Sequence, residues 1–256
     1  MEIVKKVQLS PDTYRFTFKF NDPEWLMGLP LANHMIFFMP AQAEGQDPVA
    51  RKYTPVSPMT QKGEIDYVIK CYPNCEEFPN GGKMGHYLKT KEVGDKIMME
   101  GPVGRATYKG NGLFKIKTKG DKNVTKIGLL AGGSGITPLF SVMDAIHRGK
   151  DSTVTQCSMI YSNKTEADIL IREQLDAINA DASAPHLKVT HTLTRAAEDV
   201  AAENVTRGRV NIEMLRSSGF PEPAEDVGIM ICGPKGFNEA CKALLLANGY
   251  TDSMLV

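Results

Sequence analysis

Ile127-Gly-Leu-Leu-Ala-Gly-Gly-Ser-Gly-Ile-Thr-Pro138 joins an apolar run to a glycine-rich turn and then to a segment of helical spacing. The run Ile127–Ala131 is typical of a strand buried on both faces. Pro138 suits the first turn of a helix, because its missing N–H costs nothing there. The apolar residues that follow recur at helical intervals: Leu139, Val142, Met143 and Ile146. The stretch therefore predicts a strand, a glycine turn and a helix, the repeating unit of parallel α/β folds.

The remainder of the C-terminal half continues this alternation. Three more strands are predicted at Val154–Tyr161, Leu187–Leu193 and Val227–Cys232. Two more helices are predicted at Ile169–Ile178 and Asn238–Ala247. Gly249 follows the last helix at a position suited to a C-terminal cap. Residues 126–256 are therefore predicted to form an α/β nucleotide-binding domain with a parallel sheet covered on both faces.

Residues 1–108 have a β pattern instead. Tyr14–Phe20 alternates large apolar and polar residues, as a strand with one buried face does. Further short strands are predicted at His34–Met39, Ile65–Tyr72 and Lys96–Met99, separated by turns. Such spacing indicates a small antiparallel β-barrel. Residues 109–125 are polar and glycine-rich, and we predict that they connect the two domains, with at most a short hairpin.

The composition is that of an ordinary globular protein. Hydrophobic residues make up 42% and charged residues 23% of the 256 positions, which excludes disordered, collagen-like and coiled-coil classes. No apolar run approaches the length of a transmembrane span, and the N-terminus lacks a signal-peptide pattern. We therefore expect a cytoplasmic protein that is soluble as written, with a membrane anchor outside this sequence left open, and a monomer.

The cysteine and charge patterns indicate which metals and macromolecules the protein could bind. The five cysteines are scattered and odd in number, which is typical of free thiols; Cys71 and Cys75 have no second pair to complete a metal site. The zero net charge gives no indication of nucleic-acid binding. Residues 51–126 nevertheless hold 15 Lys and Arg against 8 Asp and Glu. This basic segment is either ordinary solvated surface or a site that steers an acidic protein partner.

Two motifs lie where predicted parallel strands end, the edge at which open α/β sheets bind ligands. The turn Gly132–Gly135 offers backbone N–H groups and a helix N-terminus to an anion. Its spacing differs from the usual dinucleotide fingerprint, so a plain tight turn is an equal interpretation. Cys232-Gly-Pro234 ends the last strand, and alone it indicates a small core residue before a turn more often than a ligand site.

Two further motifs lie in the β-rich half. Arg51-Lys-Tyr-Thr-Pro-Val-Ser57 combines a guanidinium suited to phosphate with an aromatic face and hydroxyls. Pro79-Asn-Gly-Gly-Lys-Met-Gly-His86 is either a second phosphate-binding loop or the hairpin tip that Asn-Gly usually indicates. Neither motif is decisive by itself.

The order of these motifs, together with Gly101-Pro-Val-Gly104, resembles that of the ferredoxin–NADP reductase-like flavoenzymes, and within them the NADH–cytochrome b5 reductases. The resemblance covers nearly the whole chain and includes Gly28-Leu-Pro-Leu-Ala-Asn-His34 and Asn163-Lys-Thr-Glu-Ala-Asp168. It implies that the barrel binds FAD and the α/β domain binds NADH. A hydride would pass from NADH to flavin N5, and electrons would then leave singly to a haem protein such as cytochrome b5.

The resemblance also implies roles for matching positions around the flavin. Arg51 would pair with the FAD pyrophosphate, Tyr53 would lie against the isoalloxazine, and Thr54 would bond near N5. His34 would relay a proton with Thr54, or be an ordinary strand histidine. The other matching positions are Ser57, Val68, Ile69, Lys70, Tyr72, Gly82, Lys83, Met84, Gly85, Thr137 and Pro138. Gly85 stands where relatives usually have Ser or Thr, which would remove one phosphate hydrogen bond.

For the nicotinamide nucleotide, the resemblance implies that Gly132 and Gly133 admit the cofactor and that Cys232, Gly233 and Pro234 flank the nicotinamide. Cys232 would position the ring, because no paired base that could activate it as a nucleophile is evident.

Asp168 matches an acidic position that favours NADH, since a carboxylate accepts from ribose hydroxyls and repels a 2′-phosphate. Lys164 and Arg172 are near enough in sequence to offset that effect.

Two other functions stay open. The same motifs occur in the reductase part of nitrate reductase-type enzymes, and a non-catalytic flavin- or nucleotide-binding sensor would retain the same fold. Asp168 and Cys232-Gly-Pro234 argue against a sensor, which needs no hydride-transfer geometry. The chain ends in Met254-Leu-Val where close relatives usually have an aromatic pattern, so packing of the C-terminus against a ring is not expected.

Overall fold

A computed structural model describes residues 1–41, 45, 47–72, 81–195 and 204–256. The chain divides into two compact units, Met1–Gly104 and Arg105–Val256. The prediction of antiparallel β-structure followed by a parallel α/β fold is confirmed. Cys75 and Asn80, named above for a cysteine pair and a hairpin tip, lie outside the described residues.

Among its described residues, the first unit contains two three-stranded antiparallel sheets and one helix. The strands are β1 (Glu2–Ser10), β2 (Thr13–Lys19), β3 (His34–Met39), β4 (Val49–Tyr53), β5 (Glu64–Lys70) and β6 (Met98–Val103), and the helix is α1 (Lys83–Lys89). The sheet orders are β1-β2-β5 and β4-β3-β6. Phe18 contacts Phe37 and Tyr67 edge to face at ring-centroid distances of 5.7 and 5.8 Å. One aromatic core thus joins the two sheets.

The second unit opens with a small antiparallel sheet of β7 (Ala106–Tyr108), β8 (Leu113–Ile116) and β9 (Gly120–Asn123). Two of these strands lie in the segment predicted as a connector. The buried Asp151 carboxylate accepts hydrogen bonds of 2.6 Å from both the Tyr108 hydroxyl and the Asn111 N–H. The segment is therefore built into the second unit, with Phe114 fully buried beside Tyr108.

A five-stranded parallel sheet forms the rest of the second unit. Its strands are β10 (Lys126–Gly132), β11 (Gln156–Asn163), β12 (Leu187–Leu193), β13 (Val205–Arg207) and β14 (Val227–Cys232), in the order β13-β12-β11-β10-β14. The helices are α2 (Ile136–Gly149), α3 (Arg172–Ala180), α4 (Ile212–Ser217) and α5 (Lys235–Ala247). Because the strands are parallel, the carboxyl ends of β10, β11 and β14 meet at one edge, where ligands of such sheets bind.

Close packing explains one glycine inside β10. A Cβ at Gly128 would lie 2.3 Å from the ring of Phe220, so only glycine lets that ring reach the sheet. Among the described residues, no helix is long and apolar enough to span a bilayer. The same residues contain no cluster of three His, Cys, Asp or Glu side chains suited to a metal ion.

Candidate cofactor-binding sites

The glycine turn predicted from the sequence lies between β10 and α2. Gly133 has φ +52°, a conformation that favours glycine, and no described atom lies within 4 Å of where its Cβ would be. A 3₁₀ turn, Gly133–Gly135, leads into α2 at Ile136, and no described side chain caps the start of that helix. The Ile136 N–H donates to the Gly133 carbonyl, and the helix start, which has no side-chain cap among the described residues, suits a phosphate.

The end of β14 touches this glycine turn, as the sequence predicts. A Cβ at Gly135 would lie 2.2 Å from the carbonyl oxygen of Cys232, so the two backbones meet directly. The Asn238 side chain donates a 3.0 Å hydrogen bond to the Gly233 carbonyl and fixes the turn before α5. Burial raises the pKa of the Cys232 thiol, which is partly exposed at this edge. Sequence reasoning did not single out Asn238.

The segment after β11 forms a capped 3₁₀ turn, Glu166–Asp168. The Asp168 carboxylate accepts hydrogen bonds from the Thr165 N–H at 2.9 Å and the Thr165 hydroxyl at 2.7 Å. Asp168 therefore holds the turn together at the edge where the sequence predicts it to face a ribose. Arg172 forms ion pairs with Glu166 and Asp176. These two carboxylates neutralise part of the positive charge that would otherwise weaken the repulsion of a 2′-phosphate by Asp168.

Asn163, the last residue of β11, is the most unusual polar group at this edge. Its side chain is 6% exposed, and neither its amide nitrogen nor its amide oxygen has a hydrogen-bond partner among the described residues. Buried amides are normally paired, so this one requires an explanation. The sequence motifs indicate no role for Asn163, because neither its burial nor its side chain's lack of hydrogen-bond partners among the described residues is visible in a motif.

In the first unit, the Arg51–Ser57 motif forms β4 and the segment that follows. Tyr53 packs against Phe37 at 4.8 Å, and burial raises the pKa of its phenol. The buried Thr54 hydroxyl donates a 3.1 Å hydrogen bond to the Asn33 carbonyl. The Ser57 hydroxyl accepts the Asp66 N–H at 3.0 Å and ties the segment to β5. Arg51 remains exposed. The motif is thus a strand and a rigidly bonded turn.

His34 lies at the start of β3 and follows Asn33, whose carbonyl accepts the hydrogen bond of the Thr54 hydroxyl. Its buried Nε2 lacks a hydrogen-bond partner within the described ranges, and burial together with the charge of Lys52 lowers its pKa. Thr54 bonds to the carbonyl of the preceding residue, Asn33, instead of the imidazole. The relay implied by the resemblance is therefore not a direct hydrogen bond here.

The Gly82–Gly85 motif begins α1, so the hairpin interpretation is wrong for Lys83 and the residues after it. Helical spacing explains the difference, because Met84 and Leu88 both enter the core. The Gly82 N–H donates to the Tyr72 carbonyl at 3.0 Å, and a Cβ at Gly85 would lie 2.9 Å from the Cys71 Cα. A Ser or Thr at position 85 would push the helix away from the end of β5.

Four further positions that the resemblance assigns to FAD binding lie at or just after the end of β5, and their side chains point to two different faces of the strand. Val68, Lys70 and Tyr72 share one face, and Ile69 lies on the other, where it joins the hydrophobic core. The Lys70 ammonium is 3.0 Å from the Asp12 carboxylate. Ile69 and Met84 can therefore meet a ligand only through their backbones. In the second unit, Thr137 is buried and Pro138 partly buried in the first turn of α2.

Comparison with known proteins places these sites in a class. Residues 1–108 match the oxidoreductase FAD-binding domain family, and residues 129–243 match the oxidoreductase NAD-binding domain family. The chain is 36% identical over 242 residues to NADH-cytochrome b5 reductase 3 of Mus musculus, covering 91% of this chain and 77% of that protein. It is 34% identical to the nitrate reductase [NADPH] of Emericella nidulans, covering 99% of this chain but 28% of that protein.

Among solved structures, the cytochrome b5 reductase domain of Ulva prolifera nitrate reductase is similar, with a TM-score of 0.88 and 31% identity over 98% of this chain and 93% of that one. An FAD-binding and an NAD-binding domain in one chain define a flavoprotein oxidoreductase. Within that class, the chain belongs to the NADH-cytochrome b5 reductase family.

The residues present fit both cofactors of this family. The open backbone at Gly133 and the uncapped start of α2, judged on the described residues, suit a dinucleotide phosphate. In the first unit, exposed Arg51 and partly exposed Tyr53 offer a guanidinium and an aromatic face. Each unit therefore has the chemistry that its matched family requires.

Proposed function

We propose that this enzyme oxidises NADH and passes electrons singly to a haem protein of the cytochrome b5 type. The observation that carries the proposal is the direct contact of Gly135 with the Cys232 carbonyl at the carboxyl edge of the sheet, in a chain of this family. When bound, FAD supplies the conversion from a two-electron hydride donor to a one-electron acceptor.

In the second unit, the chain's own groups bind and orient the nicotinamide nucleotide. Gly132 and Gly133 admit its phosphates to the N–H groups at the start of α2. Cys232, Gly233 and Pro234 would flank the nicotinamide and hold it at a fixed angle. Because burial raises the pKa of the Cys232 thiol, the side chain stays protonated and acts by shape.

In the first unit, the exposed Arg51 guanidinium binds the FAD pyrophosphate, and Tyr53, held by Phe37, offers its ring to the isoalloxazine. Thr54 and Ser57 keep the intervening segment in place through their bonds to Asn33 and Asp66. The backbone at Gly82 and the exposed Lys83 contribute on the phosphate side. These groups hold and orient the cofactor.

Asp168 gives the proposed preference for NADH. Asp168→Asn keeps an oxygen that can accept from Thr165 but removes the charge that repels a 2′-phosphate. We expect the ratio of kcat/KM for NADH over NADPH to fall by about tenfold, as a lost charge repulsion of about 1.4 kcal/mol would give. Glu213→Gln, which removes an exposed carboxylate at the start of α4, is the control and should leave the ratio unchanged. An unchanged ratio in Asp168→Asn would remove Asp168 as the discriminator.

The proposed function is tested on the purified protein. We expect a flavin absorbance spectrum, bleaching of that spectrum by NADH under anaerobic stopped-flow mixing, and subsequent reduction of added ferric cytochrome b5. Folded protein that neither contains nor takes up flavin would contradict the proposal. Flavin that NADH leaves oxidised would support a non-catalytic binding protein instead.

A second candidate is the reductase part of a nitrate reductase-type enzyme. The 34% identity to a protein of which this chain covers 28% favours it. The two candidates differ in their acceptor, because a tethered reductase meets its haem domain at a high effective concentration. Rapid ferricyanide reduction combined with negligible reduction of free cytochrome b5 would favour the second candidate.

A further inference from the structure

The unpaired amide of Asn163 is the observation from which we reason. A buried carboxamide that lacks both its donor and acceptor partners destabilises a fold, and native proteins retain such groups mainly where something else satisfies them. Within the described parts of the chain nothing bonds to either atom. By contrast, Asn179 in the same unit bonds to both the carbonyl and the N–H of Val189, at 2.9 and 2.8 Å.

The position of Asn163 points to the nucleotide side of the sheet. It is the last residue of β11, and its neighbour Ser162 pairs with Gly132 at the start of the glycine turn. Alternation along the strand places Asn163 on the same face as Tyr161. The Tyr161 hydroxyl accepts the Leu170 N–H at 3.2 Å, so this face is covered by the segment that contains Asp168.

The order of the strands indicates which half of the nucleotide lies there. Along the edge, β14 ends at Cys232, β10 ends at the phosphate-binding turn, and β11 ends at Asn163. Neighbouring strands are about 4.8 Å apart, so a dinucleotide laid across the edge places its nicotinamide and its adenosine on opposite sides of β10. A ribose hydroxyl both donates and accepts, as a carboxamide does.

We propose that the Asn163 carboxamide hydrogen-bonds the adenosine half of the pyridine nucleotide, an inference that rests on the proposed NADH-binding function. Asn163 is thus a nucleotide-binding residue in addition to those that the motifs indicate. The bound nucleotide supplies the hydrogen-bond partners that this amide lacks among the described residues.

The test compares two fragments of the nucleotide on the FAD-loaded protein. Asn163→Leu keeps the number and branching of the side-chain heavy atoms and removes both polar atoms. We expect it to weaken ADP-ribose binding 5- to 20-fold by calorimetry, with nicotinamide mononucleotide binding and FAD content unchanged. The thermal midpoint without nucleotide should stay the same or rise, because an unpaired amide has been removed. Asn163→Asp, which retains the acceptor but loses the donor, should also weaken ADP-ribose binding and is used if the leucine variant does not fold.

Asn179→Leu is the matched control. It removes an amide that the fold does use, so we expect a lower thermal midpoint and an unchanged ADP-ribose dissociation constant. Unchanged ADP-ribose affinity in Asn163→Leu and Asn163→Asp would overturn the proposal and assign the amide to a trapped water. If the wild-type protein itself failed to bind ADP-ribose, the proposed NADH site would be wrong. Because this measurement needs no variant, failure of the proposed function can be told apart from failure of the proposal for Asn163.

Discussion

His191 shows at the scale of one residue how burial sets a charge state. The side chain is 1% exposed on β12, and neither ring nitrogen has a hydrogen-bond partner among the described residues. Its Nε2 is 3.9 Å from the Asp176 carboxylate, and its ring is 5.9 Å from that of Tyr161. Burial first, and the charge of Arg172 second, lower its pKa to about 4. The folded protein therefore keeps this imidazole neutral.

Acid should destabilise the fold through His191. Between the ordinary pKa of 6.5 and the folded value of about 4, the unfolded chain binds a proton that the folded chain does not. The contribution of His191 to the free energy of unfolding is therefore constant above pH 6.5. It falls as the pH drops toward 4, by about 3 kcal/mol in total. His191→Phe should flatten that decline in urea unfolding measured at pH 7.5, 6 and 5. His86→Gln, an exposed histidine on α1, should leave it in place.

Cys232 is the residue whose proposed role is most directly testable. We expect Cys232→Ala to retain FAD but to slow flavin reduction by NADH about tenfold or more, because a misplaced nicotinamide loses the oriented approach that hydride transfer needs. Stopped-flow bleaching of the flavin measures the rate. The wild-type rate should not rise between pH 6 and 8 through this thiol, whose pKa is raised.

Cys241→Ala is the control for that experiment. Cys241 is buried in the core of the second unit on α5, and burial raises its pKa to about 12. Its loss should reduce stability and leave the rate of flavin reduction unchanged. A rate in Cys232→Ala equal to that of wild type would leave Cys232 with a packing role alone.

At the scale of elements, the local pattern predicted the parallel strands better than their helices. Leu187–Leu193 and Val227–Cys232 match β12 and β14 residue for residue. The helix predicted from Ile169 starts instead at Arg172, because Ile171 has φ +52° after the 3₁₀ turn. No periodicity signals a left-handed isoleucine, which the surrounding packing imposes.

Arg51–Tyr53 show the same limit in the first unit. These residues contain no apolar alternation, so the sequence predicts no strand there, yet they form most of β4 by pairing with β3. Edge strands owe their structure to their partner more than to their own pattern. Within the candidate site, the glycine turn and its neighbour Cys232 were predictable from motif order. Asn163 and Asn238 were not, since their roles depend on burial and bonding.

The contact between α2 and β14 gives a prediction for these two elements. Gly135→Ala places a methyl 2.2 Å from the Cys232 carbonyl oxygen, and backbone on both sides has to move. We expect a loss of about 1–3 kcal/mol in stability from overpacking and at least tenfold weaker NADH binding, with FAD retained. Titration of the FAD-loaded protein with NAD⁺ or ADP-ribose and urea unfolding measure both effects.

Gly149→Ala, at the end of the same helix, provides the comparison. No described atom lies within 4 Å of its Cβ position, so alanine should be tolerated and slightly stabilising. Nucleotide affinity should not change. If Gly135→Ala bound nucleotide as tightly as Gly149→Ala, the meeting of α2 and β14 would not be part of the binding site.

At the scale of the whole molecule, the uneven charge predicts how a haem protein is recruited. Residues 51–126 hold 15 Lys and Arg against 8 Asp and Glu, while the chain as a whole is neutral. Long-range attraction between this basic segment and an acidic protein would raise the association rate more than the affinity. Lys89 and Lys96 are exposed members of the segment outside the proposed FAD contacts.

We expect Lys89→Glu combined with Lys96→Glu to lower the second-order rate of cytochrome b5 reduction by roughly 3- to 10-fold at low salt, with the rate of flavin reduction by NADH unchanged. Because added salt screens charges over about 10 Å at 0.1 M, the difference from wild type should shrink as ionic strength rises. Lys188→Glu, an exposed lysine on β12 outside the basic segment, should change neither rate. A reduction rate of the wild-type pair that ignores ionic strength would show that docking depends on shape and apolar contact instead of charge, and the excess of lysine and arginine would then be ordinary solvated surface.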